Sequence, residues 1–124
     1  MSDEQRPALF GSVVEFVESY LTLIYQRDID IHAWCPEWWQ HAEAVVRLDA
    51  LWRTWEYYRL DGNTGLSVWF LDHADAHMGV LLSLDGPFSG CSVRKGHSAK
   101  VPPLPLEAPP LPNMFRSPTL TRDD

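Results

Sequence analysis

The chain has 124 residues, of which 45% are hydrophobic, and these values fit one globular domain with a buried core. The formal net charge is −7, from 17 acidic and 10 basic residues, so we expect no nucleic-acid partner, because proteins that bind nucleic acids carry basic patches. The longest uninterrupted apolar run covers 68–71, far below the roughly 20 residues that a membrane span needs, and the N-terminus has no signal-peptide pattern, so we expect a cytoplasmic protein that does not bind membranes.

The first predicted helix covers about 12–26, after a polar leader at 1–11 that we expect to be flexible. Ser12 and Glu15 have the spacing of a capping box, in which two side chains satisfy free N–H groups at the start of a helix. A second helix is predicted over 36–60, because proline suits a first helical turn and a turn containing glycine follows the last residue.

The third predicted element is a β-hairpin over 66–82, with its loop at about 73–76. Apolar side chains occupy alternate positions over 66–71 and again over 78–83, and Val, Trp and Phe favour strands. The alternative is a single helix over 66–82, since this segment contains no proline and one glycine. The alternation favours the hairpin, and 88–93 could add a short third strand.

These elements predict an α+β domain over 12–97, in which two long antiparallel helices pack on a small antiparallel sheet. An extended proline-rich tail is expected at 98–124. The predicted core combines side chains from both helices and both strands: Phe16, Tyr20, Val45, Leu48, Trp52, Val68 and Val80.

The tail contains the sequence Pro-Pro-Leu-Pro twice, with the PxxP spacing that aromatic grooves recognise in polyproline II peptides. The tail either lies on its own domain or in solvent, or it is a ligand for a partner protein. Adjacent tryptophans at the start of the second helix cannot both face the core, because neighbouring residues differ by about 100° around a helix. The candidate partner-binding residues are therefore Trp38, Trp39, Pro102, Pro105, Pro109 and Pro112.

The segment His73-Ala74-Asp75-Ala76-His77 carries a potential metal ligand at every second residue. In an extended chain alternate side chains point the same way, and two imidazoles with one carboxylate can hold zinc or iron. On a helix, His73 and His77 would still share a face. The alternative without metal is a hydrogen-bonded loop, in which Asp75 caps backbone N–H groups.

Both cysteines lie near histidines: Cys35 and His41 at the start of the second helix, Cys91 and His97 after the hairpin. A closed zinc site from two cysteines and two histidines is chemically sensible, although the chain has neither CxxC nor HExxH. We expect convergence at one pole of the domain, because these residues and the hairpin tip all lie at element ends. The candidate metal ligands are Cys35, His41, His73, Asp75, His77 and Cys91, and zinc is the candidate cofactor.

Motifs of nucleotide binding and nucleophilic catalysis do not occur in the sequence, which has no Walker-type loop, no GxGxxG and no nucleophile elbow. The sequence therefore favours a non-enzymatic role over an enzyme.

Five segments occur in the order of one known family: WCPEWWQH at 34–41, RLDALWR at 47–53, TGLSVW at 64–69, DHADAHM at 72–78 and DGPFSGC at 85–91. Over about 12–97 the chain resembles the actinobacterial domain-of-unknown-function family 4913, which genomes, plasmids and phages carry. The resemblance implies a small cytoplasmic domain in the context of a mobile element. It implies no established activity, cofactor or catalytic residue.

Taken together, these observations predict a non-enzymatic protein-interaction module, or an accessory subunit of a plasmid- or phage-type mobile element, with another protein as its partner. The alternative is a small zinc- or iron-binding protein with a His/Asp/Cys site, which could be hydrolytic.

Overall fold

Three helices form the framework of the residues that the structure, a computed structural model, describes, namely 7–111 and 113–117. Helix α1 occupies 13–24 and α3 occupies 65–81, whereas α2 is Ala42–Tyr58, preceded by a short 3₁₀ turn at Trp38–Gln40. The two composite helices each have a π-helical middle: α1 comprises Val13–Phe16, Val17–Leu21 and Thr22–Ile24, and α3 comprises Gly65–Trp69, Phe70–Ala74 and Asp75–Leu81. α2 packs against both α1 and α3.

The predicted α+β fold with a β-hairpin sheet is wrong, because 66–82 is helical and no strand occurs in the described part of the chain. The buried positions of α3 are separated by steps of four, five, four and three residues: Gly65, Trp69, Ala74, Met78 and Leu81. The π-helical turn accommodates the step of five, so these side chains still share one face. The predicted third strand is absent too, and an isolated bridge between Ser92 and Gly96 is the pairing seen there.

The serine half of the capping box at the start of α1 is confirmed, because Ser12 Oγ accepts the N–H of Glu15 at 3.2 Å. The Glu15 carboxylate accepts the N–H of Gly11 at 3.0 Å, rather than that of Ser12. The second helix starts later than predicted, since His41 has an extended backbone (φ −112°, ψ 114°) and separates the 3₁₀ turn from α2. The residues before Ala42 are thereby free to form a site rather than a helical face.

Aromatic side chains from all three helices fill the core. Tyr20 and Trp55 lie with ring centroids 4.7 Å apart, and Phe16 contacts both Trp55 and Trp69. The indole N–H of Trp69, which is wholly buried, donates to Leu51 O at 3.1 Å and to the hydroxyl of Thr54 at 3.0 Å. Of the predicted core, Phe16 and Leu48 are buried, whereas the other five are half-buried: Tyr20, Val45, Trp52, Val68 and Val80.

The chain before α1 is held against α2 by one carboxylate. Glu56 accepts the N–H of Leu9 at 2.8 Å and that of Phe10 at 2.9 Å, and Arg59 donates to it at 2.8 Å. Phe10 packs on the core, with its ring centroid 5.3 Å from that of Trp55. Among the described helices, none combines the length and apolar character required to cross a bilayer.

Candidate metal centre

Two short segments outside the helices supply four metal-ligating side chains. Cys35 lies in the connector between α1 and α2, and His41 immediately precedes α2. Cys91 and His97 flank a tight reversal in which Ser92 and Gly96 pair their backbones at N···O distances of 3.1 and 2.7 Å. Gly96 has φ +83°, a left-handed conformation that glycine adopts without strain. The reversal therefore returns His97 to the side of Cys91.

The ligand atoms of Cys35, His41, Cys91 and His97 all lie within 4.8 Å of one another. Cys35 Sγ is 3.5 Å from His97 Nδ1, and Cys91 Sγ is 3.4 Å from His41 Nε2. The two imidazole nitrogens are 3.1 Å apart, and Cys91 Sγ is 3.9 Å from His97 Nδ1. A tetrahedral zinc ion bound at its usual N and S distances has ligand–ligand separations of about 3.3–3.8 Å. Four of the six pairwise separations are 3.1–3.9 Å and all six are within 4.8 Å, so the four side chains come close to the spacing of a tetrahedral N/S site.

Both sulfur atoms are removed from solvent, since Cys35 is 0% exposed and Cys91 is 8% exposed. Neither cysteine is in a disulfide, and the two histidines are half-buried. The ring of His41 packs edge-on against Phe88 with centroids 5.0 Å apart. The sulfur side of the site is therefore shielded from water, whereas His41 and His97 line an open cavity.

Backbone N–H groups support the two sulfurs. The N–H of Ser98 donates to Cys91 Sγ at 3.2 Å. Burial raises the pKa of the Cys35 thiol to about 11, a backbone hydrogen bond from Glu37 acts in the opposite direction, and Cys91 adds to the rise. Burial, together with the neighbouring His97, lowers the pKa of His41. Both shifts favour the neutral forms of Cys35 and His41 in the metal-free site, and backbone donors are already in place for thiolates.

A family model described as a domain of unknown function (DUF4913) matches residues 10–110. The chain belongs to the DUF4913 family. The matched range contains all three helices and the four side chains of the candidate centre. Neither a curated protein nor a solved structure matches this DUF4913 chain.

Three of the six predicted metal ligands, namely Cys35, His41 and Cys91, come together in this DUF4913 domain, and His97 joins them. His97 was absent from the predicted set. The signal that could have identified it is a repeated spacing, because Cys35 and His41 are separated by five residues, as are Cys91 and His97.

The other three predicted ligands lie on α3, away from this centre. Because 73–77 is helical and not extended, Asp75 points to a different side from His73 and His77. Asp75 accepts the phenol O–H of Tyr25 at 2.8 Å, and His77 Nδ1 lies 2.9 Å from a guanidinium nitrogen of Arg47. Within 7–111 and 113–117, the cluster of two cysteines and two histidines is the one grouping that could hold an ion.

The predicted partner-binding tryptophans differ in exposure, as neighbouring positions require. Trp38 is 7% exposed and belongs to the core, whereas Trp39 is 58% exposed. Pro102, Pro105 and Pro109 lie in an exposed segment without helix or strand, and Pro112 lies outside the described residues.

Proposed function

We propose that this DUF4913 domain is a non-enzymatic interaction module that a structural zinc ion holds together. The observation that carries this proposal is that four ligand atoms from two Cys-x₅-His units, Cys35 with His41 and Cys91 with His97, all lie within 4.8 Å of one another. The residue types support zinc over other ions, because two thiolates and two imidazoles in a tetrahedron are typical zinc ligands.

A structural role is favoured over catalysis by the number of ligands. Catalytic zinc has three protein ligands and an open position for water, whereas four protein ligands complete a tetrahedron. Two thiolates also balance the charge of Zn²⁺, so the occupied site would be neutral within apolar surroundings. A neutral, closed site binds no substrate, and this supports the non-enzymatic half of the proposal.

The ion would stabilise the part of the fold that has least regular structure. The connector before α2 and the chain after α3 contain turns and a single β-bridge, and they contribute few large side chains to the core, chiefly Trp38 and Phe88. A zinc ion bound by Cys35 and His41 on one side and by Cys91 and His97 on the other would connect these two segments. Metal binding of this kind contributes directly to folding free energy.

Metal analysis of the purified full-length chain tests the proposal. We expect about one zinc per chain, lost in Cys35→Ser and Cys91→Ser because each removes one of four ligands. His73→Asn and His77→Asn are matched controls, and both should retain the ion. Replacement of zinc by Co²⁺ should give the strong visible absorption of a tetrahedral thiolate site. A chain that binds no zinc after refolding with the ion, or cysteine variants that keep it, would overturn the proposal.

The interaction half of the proposal is supported by exposed apolar groups. Trp39 is 58% exposed and Leu104, in the proline-rich segment, is 90% exposed.

A cytoplasmic location belongs to the same proposal, because a reducing compartment keeps zinc-binding thiols free. The accessory role in a plasmid- or phage-type element has the family resemblance as its support. Trp39→Ala should leave zinc content and helicity unchanged and remove partner binding, and a variant that still binds its partner would contradict the role of this surface.

A further inference from the structure

A continuous groove runs along α1 on the side that faces the connector. It consists of three adjoining cavities, of about 360, 180 and 250 Å³. Thr22 and Trp34 line both the first and the second cavity, and Tyr25 and Arg27 line both the second and the third. The groove is thus one elongated depression rather than three separate sites.

The groove has the chemical character of a surface that binds polyproline II peptides. Its first cavity is lined by Trp34, Trp38 and the exposed Trp39, and its second is mostly apolar, with Tyr25 and Ile29 in the wall. Aromatic-lined grooves bind proline-rich peptides in this conformation, because the peptide is already extended and loses little entropy on binding.

This chain itself carries a ligand of that kind. The segment at 102–111 contains one complete Pro-Pro-Leu-Pro sequence and most of a second, and its three leucines are exposed: Leu104, Leu106 and Leu111. In polyproline II, with a rise of about 3.1 Å per residue, ten residues extend about 31 Å. The first two cavities follow α1 from Val14 to Tyr25, the residue after its end, which is about 17 Å at 1.5 Å per residue, and the third lies beside α3, so the segment is long enough to fill the first two and to reach the third.

The groove has one arginine, Arg27, and two carboxylates, Glu18 in the first cavity and Asp75 in the third. Arg27 lies where the second and third cavities meet, stacks on the ring of Tyr25 at 5.1 Å, and makes no ion pair with any residue that the structure describes. Glu107 is the one charged residue between the two Pro-Pro-Leu-Pro sequences. A segment bound along the groove would therefore bring its central carboxylate to the central cation.

The segment does not occupy the groove of its own chain. Its root lies at a different cavity, which Pro102 and Pro103 line with Gln40 and His41. Beyond the root, Leu104 and Leu106 are 90% and 86% exposed. The groove and the proline-rich segment of one molecule therefore do not bind each other. If each of two copies binds the segment of the other, the result is a two-fold symmetric dimer.

We propose that the groove of α1 binds the proline-rich segment 102–111 of a second copy of this chain, with Arg27 of each copy paired to Glu107 of the other. The inference goes beyond the proposed function and does not depend on the identity of the metal.

Sedimentation of the full-length chain over a concentration series tests this dimer. We expect reversible dimerisation, which Arg27→Glu and Glu107→Arg should each weaken by roughly tenfold or more, because like charges then face each other. An equimolar mixture of these two variants should dimerise again, since both cross-pairs become complementary in the heterodimer. Arg53→Glu and Asp85→Arg change the net charge equally at exposed positions outside the groove, and both should dimerise like the parent.

Three results would overturn the proposal. The first is a parent chain that stays monomeric over the whole concentration series. The second is a mixture of the two charge variants that fails to dimerise, while a chain carrying both Arg27→Glu and Glu107→Arg restores a parental tryptophan fluorescence that each single variant has altered. That result would assign the segment to the groove of its own chain. The third is a dimer that persists unchanged in Trp39→Ala, since this exposed indole can be removed without disturbing the core.

Discussion

Cys91 Sγ lies 3.4 Å from His41 Nε2, although 50 positions separate the two residues in the sequence. The reciprocal contact joins Cys35 Sγ to His97 Nδ1 at 3.5 Å. Each cysteine therefore faces the histidine of the other Cys-x₅-His unit, and the two units interlock. An ion at this position would bind both segments at once, so its loss should affect them together.

Removal of the metal should destabilise the non-helical segments more than the helices. We expect a chelator to lower the melting temperature of the zinc-loaded chain by at least about 5 °C, because a bound structural ion stabilises the folded state by mass action. Amide exchange should accelerate most over 86–98 and 33–41, with α2 least affected. Cys91→Ser is the matched control, since a chain that cannot bind zinc should not respond to the chelator. Equal acceleration along the whole chain would contradict a local role for the ion.

The turn between α2 and α3 depends on a glycine. A Cβ on Gly65 would overlap the carbonyl oxygen of Tyr58, whereas a Cβ on Gly79, in the same helix, would meet open space. We expect Gly65→Ala to lower the free energy of unfolding by about 2–3 kcal/mol through overpacking against backbone. Gly79→Ala should raise it by roughly 0.5–1 kcal/mol, because alanine favours a helix over glycine. Chemical denaturation of both variants checks the contrast, and equal effects would contradict this packing.

The sequence predicted the ligands that lie before α2 and after α3 better than it predicted α3 itself. Cys35, His41 and Cys91 were identified because chain reversals collect polar side chains, and the structure does bring these three together. Asp75 was grouped with His73 and His77 on an argument that required an extended chain. The helix over 65–81 removes that argument for Asp75, because it leaves the two histidines on one face and turns Asp75 to a different side.

The third helix was missed for a physical reason. Two-residue alternation of Leu66, Val68 and Phe70 resembles a strand, and the residue types favour one. The helical period is obscured by the π-helical turn, because the buried Trp69 and Ala74 are five positions apart where a regular helix has steps of three or four. Tertiary packing against α2 decides the outcome, and a pattern read along one segment does not contain that information.

Trp69 and Trp52 should differ strongly in their contribution to stability. Trp69 is fully buried with its N–H bonded to Leu51 and Thr54, whereas Trp52 is half-buried and donates to Glu56 at 3.2 Å near the surface. Trp69→Ala should cost about 3–5 kcal/mol, as large truncations in a core do. Trp52→Ala should cost about 1–2 kcal/mol, because part of the ring is already in contact with water.

Denaturation of the zinc-loaded variants measures both values. If Trp69→Ala is too unstable to purify, Trp69→Phe retains the ring while removing the two hydrogen bonds, and it should still cost more than Trp52→Phe. A larger loss at position 52 than at position 69 would contradict the packing of α3 on α2.

The free energy of unfolding should fall in acid, because the Glu56 carboxylate, which holds the chain before α1, becomes protonated. Burial acts to raise the pKa of Glu56, but backbone hydrogen bonds from Phe10 and Leu9 and the Arg59 guanidinium outweigh it, so the net shift is downward. Because the pKa of Glu56 is lower in the folded chain than in the unfolded chain, its stabilisation is complete above the ordinary glutamate pKa of about 4.3. It disappears as the pH falls through the lowered folded value.

Glu56→Gln should therefore lower the free energy of unfolding by about 1–2 kcal/mol at neutral pH, since the charge-assisted hydrogen bonds become neutral ones. The difference between variant and parent should shrink below pH of about 4, where the parent carboxylate is itself protonated. Glu43→Gln is the matched control, because Glu43 also pairs with an arginine of α2, Arg47, but accepts no backbone N–H in the described part of the chain. Chemical denaturation of all three proteins between pH 7 and pH 3 measures these differences, and a Glu56→Gln deficit that persists unchanged in acid would show that the lost group is not the ionised carboxylate.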